Sequence, residues 1–265
     1  MRATLLAGSA VLWLVLLLGL AGPFLPYDVV TAVDPEAIGL APSLDHWLGT
    51  DHLGRDVAWR LLMAPGAFVG PGLLAVAVAT TLGVTAGALT GFVGGVLAST
   101  IRYLSTVTAS IPRFVLVLLV MTIYGSEGWL LGVAAGVAWA PALAEAVHQR
   151  IEVLTRAEFV LAARAHGIGS ARILLFHLLW VNGRRMVGRQ ALLLFGYLLV
   201  LETTLSYLGG FGVPEPEPSW GNMLAFEFGQ HTANPWGLWA PAIAIWVTVL
   251  ATGIVSEVFA EREHA

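Results

Sequence analysis

The sequence has 265 residues, of which 57% are hydrophobic and 11% are charged, and its mean hydropathy is positive, as in a membrane protein. The absence of cysteine excludes a disulfide framework and a Cys-based metal site. All 13 basic residues are arginines, scattered along a chain of net charge −4, which argues against nucleic-acid binding.

The apolar runs predict an all-α fold with six membrane-spanning helices. The first run covers residues 3–22 and is longer than a usual signal-peptide core. A retained span is therefore favoured over a signal peptide cleaved near Gly19 and Ala21. The other five runs lie at 68–93, 103–124, 128–147, 187–208 and 236–258.

These runs divide the chain into an N-terminal part, 1–66, which holds the first span and a polar loop, and a five-helix core, 67–265. Gly83, Gly87 and Gly91 recur at four-residue spacing in the second span. Because such spacing lets membrane helices approach closely, this span is predicted to pack tightly against another helix.

The distribution of arginine predicts the orientation, because basic residues of short loops stay in the cytoplasm. With the N-terminus inside, only Arg55 and Arg60 face outward. Both termini are then cytoplasmic, and the loops 27–66 and 209–235 are external. The cytoplasmic side collects Arg2, Arg102, Arg150, Arg156, Arg164, Arg172, Arg184, Arg185, Arg189 and Arg262.

The two external loops carry distinctive residues. Asp51, Gly54, Arg55 and Asp56 have the spacing of a turn fastened by charges, although exposed ion pairs contribute little energy. The stretch 209–223 has three prolines alternating with Glu215 and Glu217, which predicts a stiff, extended loop. Trp220 at its end suits the membrane interface.

The segment 152–182 lies between spans and predicts a hairpin of two short helices. Thr155 and Glu158 have the spacing of a capping box, which starts a helix that runs to about Ala165. Gly167 suits the left-handed residue that ends this helix, and Ser170 can cap a second one. Such a hairpin is expected to lie against the membrane surface or a partner protein.

Two charges lie within predicted spans. Counted along straight helices, Arg113 and Glu202 reach nearly the same depth, about 18 and 22 Å from the cytoplasmic side. A charge there needs a partner or water, so we expect the two side chains to approach each other or to line one pathway. An unpaired Arg113 would favour an anionic solute. Pro112 predicts a kink in the third span.

The sequence holds no nucleotide-binding loop and no hydrolase or metalloprotease motif. The histidines never fall at metal-ligand spacing within one element. Catalysis by this chain is therefore not expected. The histidines are His46, His52, His148, His166, His177, His231 and His264.

Three segments carry a resemblance to a known family: HWLGTDHLGRDVAWRLL (46–62), EFVLAARAHGIGSARILLFHLL (158–179) and LETTLSYLGGFGVPEPEPSWGNML (201–224). They resemble signatures of the inner-membrane permeases of dipeptide, oligopeptide and nickel ABC importers, in the branch of the second of the paired permeases. The match keeps its order and spacing over nearly the whole chain.

The resemblance implies the type I ABC importer permease fold, with the hairpin as the coupling segment that docks on a cytoplasmic ATPase. The docking residues are then Glu158, Leu161, Ala162, Ala163, Gly167 and Ile168. Two positions depart from the family pattern, because Leu161 replaces a Glu and Trp180 replaces a Pro.

The same resemblance implies a bacterial inner-membrane protein that forms a pathway with a second, homologous permease. Two ATPase subunits would bind ATP and Mg, and this chain would bind no cofactor itself. An external solute-binding protein would sit over the turn at Asp51, Gly54, Arg55 and Asp56, with Trp220 nearby. Short peptides are the expected solute, with nickel or another small complex kept open.

Two other classes stay open from the residues alone. An ion-driven secondary transporter would use Glu202 as a proton or cation site. A membrane scaffold would use 152–182 to dock a partner that is not an ATPase.

Overall fold

The structure is a computed structural model that describes residues 2–24, 26–230 and 235–261. Arg262, His264, His231 and part of the loop 209–235 lie outside the described residues. Within them, a π-helix, Ile173–Gly183, joins α9 to α10, and an isolated bridge joins Thr50 to Asp56. The α-helices are α1 (Arg2–Ala21), α2 (Tyr27–Thr31), α3 (Val57–Met63), α4 (Gly66–Phe92), α5 (Gly95–Ala109), α6 (Arg113–Tyr124), α7 (Gly128–Thr155), α8 (Glu158–Ala165), α9 (Ser170–Arg172), α10 (Arg184–Leu208), α11 (Trp220–Gln230) and α12 (Trp236–Glu261).

Long apolar helices make up most of the described chain. Five stretches are long and apolar enough to cross a membrane, and α5 with α6 makes a sixth if this bent pair counts as one span. The all-helical, six-span prediction is confirmed in that sense. The five stretches are Ala3–Ala21, Val57–Phe92, Gly128–Thr155, Ser170–Leu208 and Trp236–Phe259.

The centre of the bundle is the parallel pair α4 and α7, which packs closely because glycine faces bulky side chains. A Cβ atom on Gly83 would lie 2.8 Å from Leu143 Cβ, and one on Gly87 would lie 2.6 Å from Val147 Cβ. Gly91 lies against Ile151 in the same way. The predicted close packing of the second span is therefore confirmed. Helix α10 also packs on α4, and α12 packs on both α10 and α1.

Several predicted span limits were wrong. The third span is not one helix from 103 to 124, because α5 and α6 meet at a bend of 80° after Ala109. The bend confirms the kink predicted from Pro112, which lacks an amide hydrogen. Helix α7 extends to Thr155 rather than 147, and the fifth span begins at Ser170 rather than 187.

We name the two ends of the bundle by what they carry. The hairpin end carries α8, and the loop end carries residues 26–56 and 209–219. The candidate functional residues lie at these two ends and in one layer between them, which contains Arg113.

Candidate functional site

The start of α8 differs from the prediction. Ala157 precedes the helix, and no side chain caps it. The predicted capping box from Thr155 is wrong, because α7 continues to this residue and its hydroxyl donates to the Glu152 carbonyl oxygen at 2.8 Å. The backbone carbonyl of Ala157 accepts from the Val160 amide instead, at 3.0 Å.

The end of α8 matches the prediction. Gly167 has φ +75°, the left-handed conformation in which glycine avoids a steric cost. Its amide donates to the Arg164 carbonyl, and the Ile168 amide donates to the Ala163 carbonyl, both at 3.0 Å. These two bonds form a Schellman closure.

The second helix of the hairpin is not a separate short helix. Gly169, not Ser170, precedes it, and it makes no side-chain cap. From Ser170 the chain stays helical through the π-helix and α10 to Leu208, a stretch of 39 residues. Motion of the hairpin would therefore act directly on a membrane-spanning element.

One face of α8 is anchored in the bundle. Val160 is fully buried in a cluster with Val147 and Ile151 of α7 and with Ile173 and Leu178 of the π-helix. This burial fixes the angle at which α8 leaves the bundle, so the opposite face is presented as a rigid surface.

The exposed flanks and outer side of α8 carry most of the predicted docking residues. Leu161 is 56% exposed and its neighbour Phe159 is 42% exposed. Glu158, Ala162 and Gly167 are also exposed, whereas Ala163 and Ile168 are half-buried. Sequence reasoning missed Phe159, whose spacing from Ala162 and Ala163 places it near the same helical face.

At the loop end, Asp51 organises a tight turn, as predicted from the spacing of its charges. One of its oxygens, Oδ1, accepts from the amides of Leu53 and Arg55, both at 2.9 Å. The other, Oδ2, lies 2.7 Å from Arg55 Nε. Gly54 has φ +78°, and a Cβ atom there would lie 1.9 Å from the Asp34 carbonyl oxygen. Only glycine fits this turn.

The turn is joined to the distant loop 209–219 through Glu215. We call Asp51, Arg55, Arg60 and Glu215 the ionic cluster. Arg55 binds both carboxylate oxygens of Glu215, and Arg60 Nη2 lies 3.3 Å from one of them. Arg60 Nη1 also donates to the Pro216 carbonyl at 3.2 Å. Sequence reasoning missed this contact, since Arg55 and Glu215 are 160 positions apart.

The arginines of the ionic cluster are almost fully buried, with side chains only 1% exposed. Burial alone would lower the pKa of Arg55, but the hydrogen bonds and charges of Glu215 and Asp51 outweigh it and raise this pKa above its ordinary value. The guanidinium of Arg55 therefore stays charged and needs its two carboxylate partners.

Asp56 and Trp220 complete the loop end. Asp56 caps α3 by accepting from the Trp59 amide at 2.9 Å, and its other oxygen lies 2.8 Å from His46 Nδ1. Trp220 was predicted at the membrane interface, but it is only 3% exposed. Its indole Nε1 donates to the Leu61 carbonyl at 3.1 Å, and its ring packs on Phe68.

Glu202 is fully buried near the loop end. It lies six residues before the end of α10, or about 9 Å along the helix. Its Oε1 accepts from the Ser206 hydroxyl at 2.6 Å, and the Ser219 side chain lies against the same carboxyl group.

Arg113 lies deeper and has different neighbours. It begins α6, and its guanidinium lies 4.1 Å from the centre of the Trp139 ring. The expected ion pair between Arg113 and Glu202 does not form in the described part of the chain. That the two side chains line one pathway stays a prediction. The bend after Ala109 removes the straight helix on which their equal depth was counted.

A bundle of apolar spans with an exposed, anchored hairpin at one end defines a polytopic membrane protein. Its fold is similar to that of a chain of the inward-facing MetNI methionine ABC transporter, with TM-score 0.60 and 16% identity over 77% of this chain and 96% of that one. The chain belongs to the family of binding-protein-dependent transport system inner membrane components, whose family profile matches residues 83–264.

Curated relatives agree with this family. The glutathione transport system permease protein GsiD of Pectobacterium atrosepticum is 31% identical over 95% of this chain and 83% of that protein. The dipeptide transport system permease protein DppC of Alkalihalophilus pseudofirmus is 26% identical over 95% and 82%. The nickel transport system permease protein NikC of Escherichia coli is 29% identical over 91% and 85%. The chain is thus similar to permeases of ABC importers over nearly its whole length.

Proposed function

We propose that this chain is the non-catalytic membrane subunit of an ATP-driven importer of short peptides and that it encloses the pathway together with a second, homologous permease. Two cytoplasmic ATPase subunits bind ATP and Mg, and an external solute-binding protein delivers the solute. The names of the relatives support this class of solute, since two of the three concern peptides, glutathione and a dipeptide, and the third concerns nickel.

In this proposal the hairpin end faces the cytoplasm and the loop end faces outward. The arginines support that orientation, because Arg150, Arg156 and Arg164 lie at or near the hairpin end, and of the arginines that the structure describes only Arg55 and Arg60 lie at the loop end. Both termini are then cytoplasmic.

The observation that carries the proposal is the two-sided character of α8. Its buried residue, Val160, fastens it to the bundle, while Leu161 and Phe159 present apolar surface that this chain leaves uncovered. Exposed apolar side chains on both flanks of a helix, with the small Ala162 on the side away from Val160, suit insertion into a groove of another protein. Leu161 in place of an acid makes this contact apolar rather than ionic.

Closure of the ATPases would move α8 as a rigid body, and the movement would pass into the long helix that begins at Ser170. The alternative of an ion-driven transporter has less support. Glu202 accepts from Ser206 and lies against Ser219, an arrangement that holds the carboxyl group in place within the fold.

The test is co-purification of this chain with its ATPases after Ala162→Arg, which puts a long charged side chain on the exposed face of α8. We expect the ATPases to be lost while the chain itself is still inserted and monodisperse. The matched control is Ala41→Arg, which makes the same change at an exposed position of the loop end. Retention of the ATPases by the Ala162→Arg variant would reject docking through α8.

A transport assay tests the class of function. Uptake by the reconstituted complex, with the binding protein present, is expected to require ATP and to persist when ion gradients are collapsed. Uptake that survives loss of ATP and stops with the ion gradient would establish the secondary transporter instead.

A further inference from the structure

Arg113 is a cation without an acidic partner. Among the described residues, no Asp or Glu forms an ion pair with it, and its guanidinium donates no hydrogen bond. Its neighbour is the face of Trp139, whose ring packs on Tyr197 with 5.2 Å between the ring centres. A cation is attracted to the face of an aromatic ring, and the five N–H groups of arginine stay available for an acceptor.

The position of this cation is deep in the bundle. Trp139 lies 11 residues from the start of α7, and Tyr197 lies 11 residues from the end of α10, so each is about 17 Å along its helix from the loop end. The two helices thus give the same depth for this aromatic pair. A charge at such depth is found where it faces the interior of a bundle or a water-filled cavity and marks a solute pathway.

The backbone at Arg113 adds donors to the same place. Helix α6 begins at Arg113 and has no side-chain cap. Its first amide with a helical bond is that of Leu116, which donates to the Pro112 carbonyl at 3.1 Å. The amides of Arg113, Phe114 and Val115 donate to no described residue. Irregular backbone at membrane depth is tolerated where it lines a cavity or is covered by protein.

The break between α5 and α6 is not covered by the described residues. Ser110, Ile111 and Pro112, which form the break between α5 and α6, are all exposed. Arg113 itself is half-buried beside this exposed break. In the proposed importer, the second permease would cover this exposed side.

We propose that Arg113, with the free amides that open α6, is a subsite for a carboxylate group of the solute in the translocation pathway. Resting on the proposed function, this assignment adds a solute chemistry, namely a carboxylate supplied by the C-terminus of a short peptide or by an acidic side chain. The charge of Arg113 carries the subsite and the helix terminus assists it. Broken membrane helices bind anionic solute groups at half-helix N-termini in the same way.

The experiment measures uptake by the complete reconstituted transporter with three probes: trialanine, trialanine amide, and Ala-Glu-Ala amide. In the unmodified complex, trialanine should be taken up with a kcat/KM about tenfold above that of its amide, the ratio expected for one charge-assisted hydrogen bond. Arg113→Gln should remove this preference by lowering uptake of trialanine alone. Ala-Glu-Ala amide separates the two sources, because recovery of uptake shows that a side-chain carboxylate can also fill the subsite, and its failure restricts the subsite to the terminal carboxylate.

The matched control is Arg102→Gln, which removes an exposed arginine from α5, the other half of the same broken span. This variant should keep the preference. Arg113→Lys retains the charge and should keep the preference with a higher KM, and it serves as the test if the Gln variant does not assemble.

Three outcomes overturn the subsite. In the first, the preference for trialanine over its amide persists in Arg113→Gln. In the second, uptake of both probes falls equally in that variant, as expected if Arg113 only supports the Trp139 ring. In the third, Arg113→Lys shows no preference. A complex that hydrolyses ATP but takes up no peptide rejects the proposed solute class and, with it, this assignment.

Discussion

The ionic cluster predicts a specific cost for Glu215→Gln. Of the two carboxylates in the ionic cluster, this change leaves only Asp51 beside two arginines whose side chains are 1% exposed. Outside the cluster, the charge of Glu227 acts on Arg60 as well. Removing one partner of a buried ion pair costs about 3–5 kcal/mol. Glu215 itself is 27% exposed, and glutamine keeps one acceptor oxygen, so the expected loss is smaller, about 2–3 kcal/mol.

The assay is thermal unfolding of the purified protein in detergent, followed by loss of the monodisperse peak. A loss of about 2–3 kcal/mol should lower the midpoint by roughly 5–10 °C for a chain of this size. Glu217→Gln is the matched control, because Glu217 lies two residues away, is exposed, and accepts one 3.3 Å bond from the Tyr27 hydroxyl. Its midpoint should fall by no more than about 2 °C. Equal shifts in the two variants would refute the view that Glu215 joins the two loops.

Two glycine-to-alanine substitutions, at Gly87 and Gly54, test close packing, and each has a control glycine with open space around it. In Gly87→Ala the new Cβ atom would lie 2.5 Å from the Ala144 carbonyl oxygen, so α4 and α7 must separate and the thermal midpoint should fall by several degrees. The control is Gly253→Ala inside α12, whose Cβ would meet nothing within 4 Å; its midpoint should stay the same or rise slightly, because alanine favours a helix more than glycine does. Gly54→Ala places a Cβ atom 1.9 Å from the Asp34 carbonyl and should open the loop end to limited proteolysis. Gly39→Ala also imposes a positive φ, of +65°, but meets no atom within 4 Å, so faster cleavage in this control than in Gly54→Ala would argue against the steric reason.

Features that depend on sequence neighbours were predicted well. The left-handed Gly167, the break at Pro112 and the turn at Asp51 each follow from residues within a few positions, because their hydrogen bonds are local. The close packing of α4 also followed from glycine spacing alone, although the partner helix did not.

Features that depend on competing or distant elements were not predicted. Thr155 has the right spacing for a cap, but α7 continues over it and takes its hydroxyl. Trp220 has the composition of an interfacial residue, but α3 supplies a carbonyl for its indole. No pattern in the sequence selects Glu215 over Glu217 as the partner of Arg55, since only the fold of the two loops brings one of them within reach.

The continuity of the helix from Ser170 to Leu208 changes how the proposed importer would work. A hairpin of two separate short helices would need a flexible joint to the span, and part of any push from the ATPases would be lost there. Here the same helical stretch begins next to α8, passes Tyr197 in the layer of Arg113, and ends with Glu202 and Ser206 beneath the loop end. Because Val160 of α8 packs in one cluster with Ile173 at the start of this stretch and with Ile151 of α7, a displacement of α8 would act on both helices. The layer of Arg113 would then move with the hairpin, which is the linkage that alternating access requires.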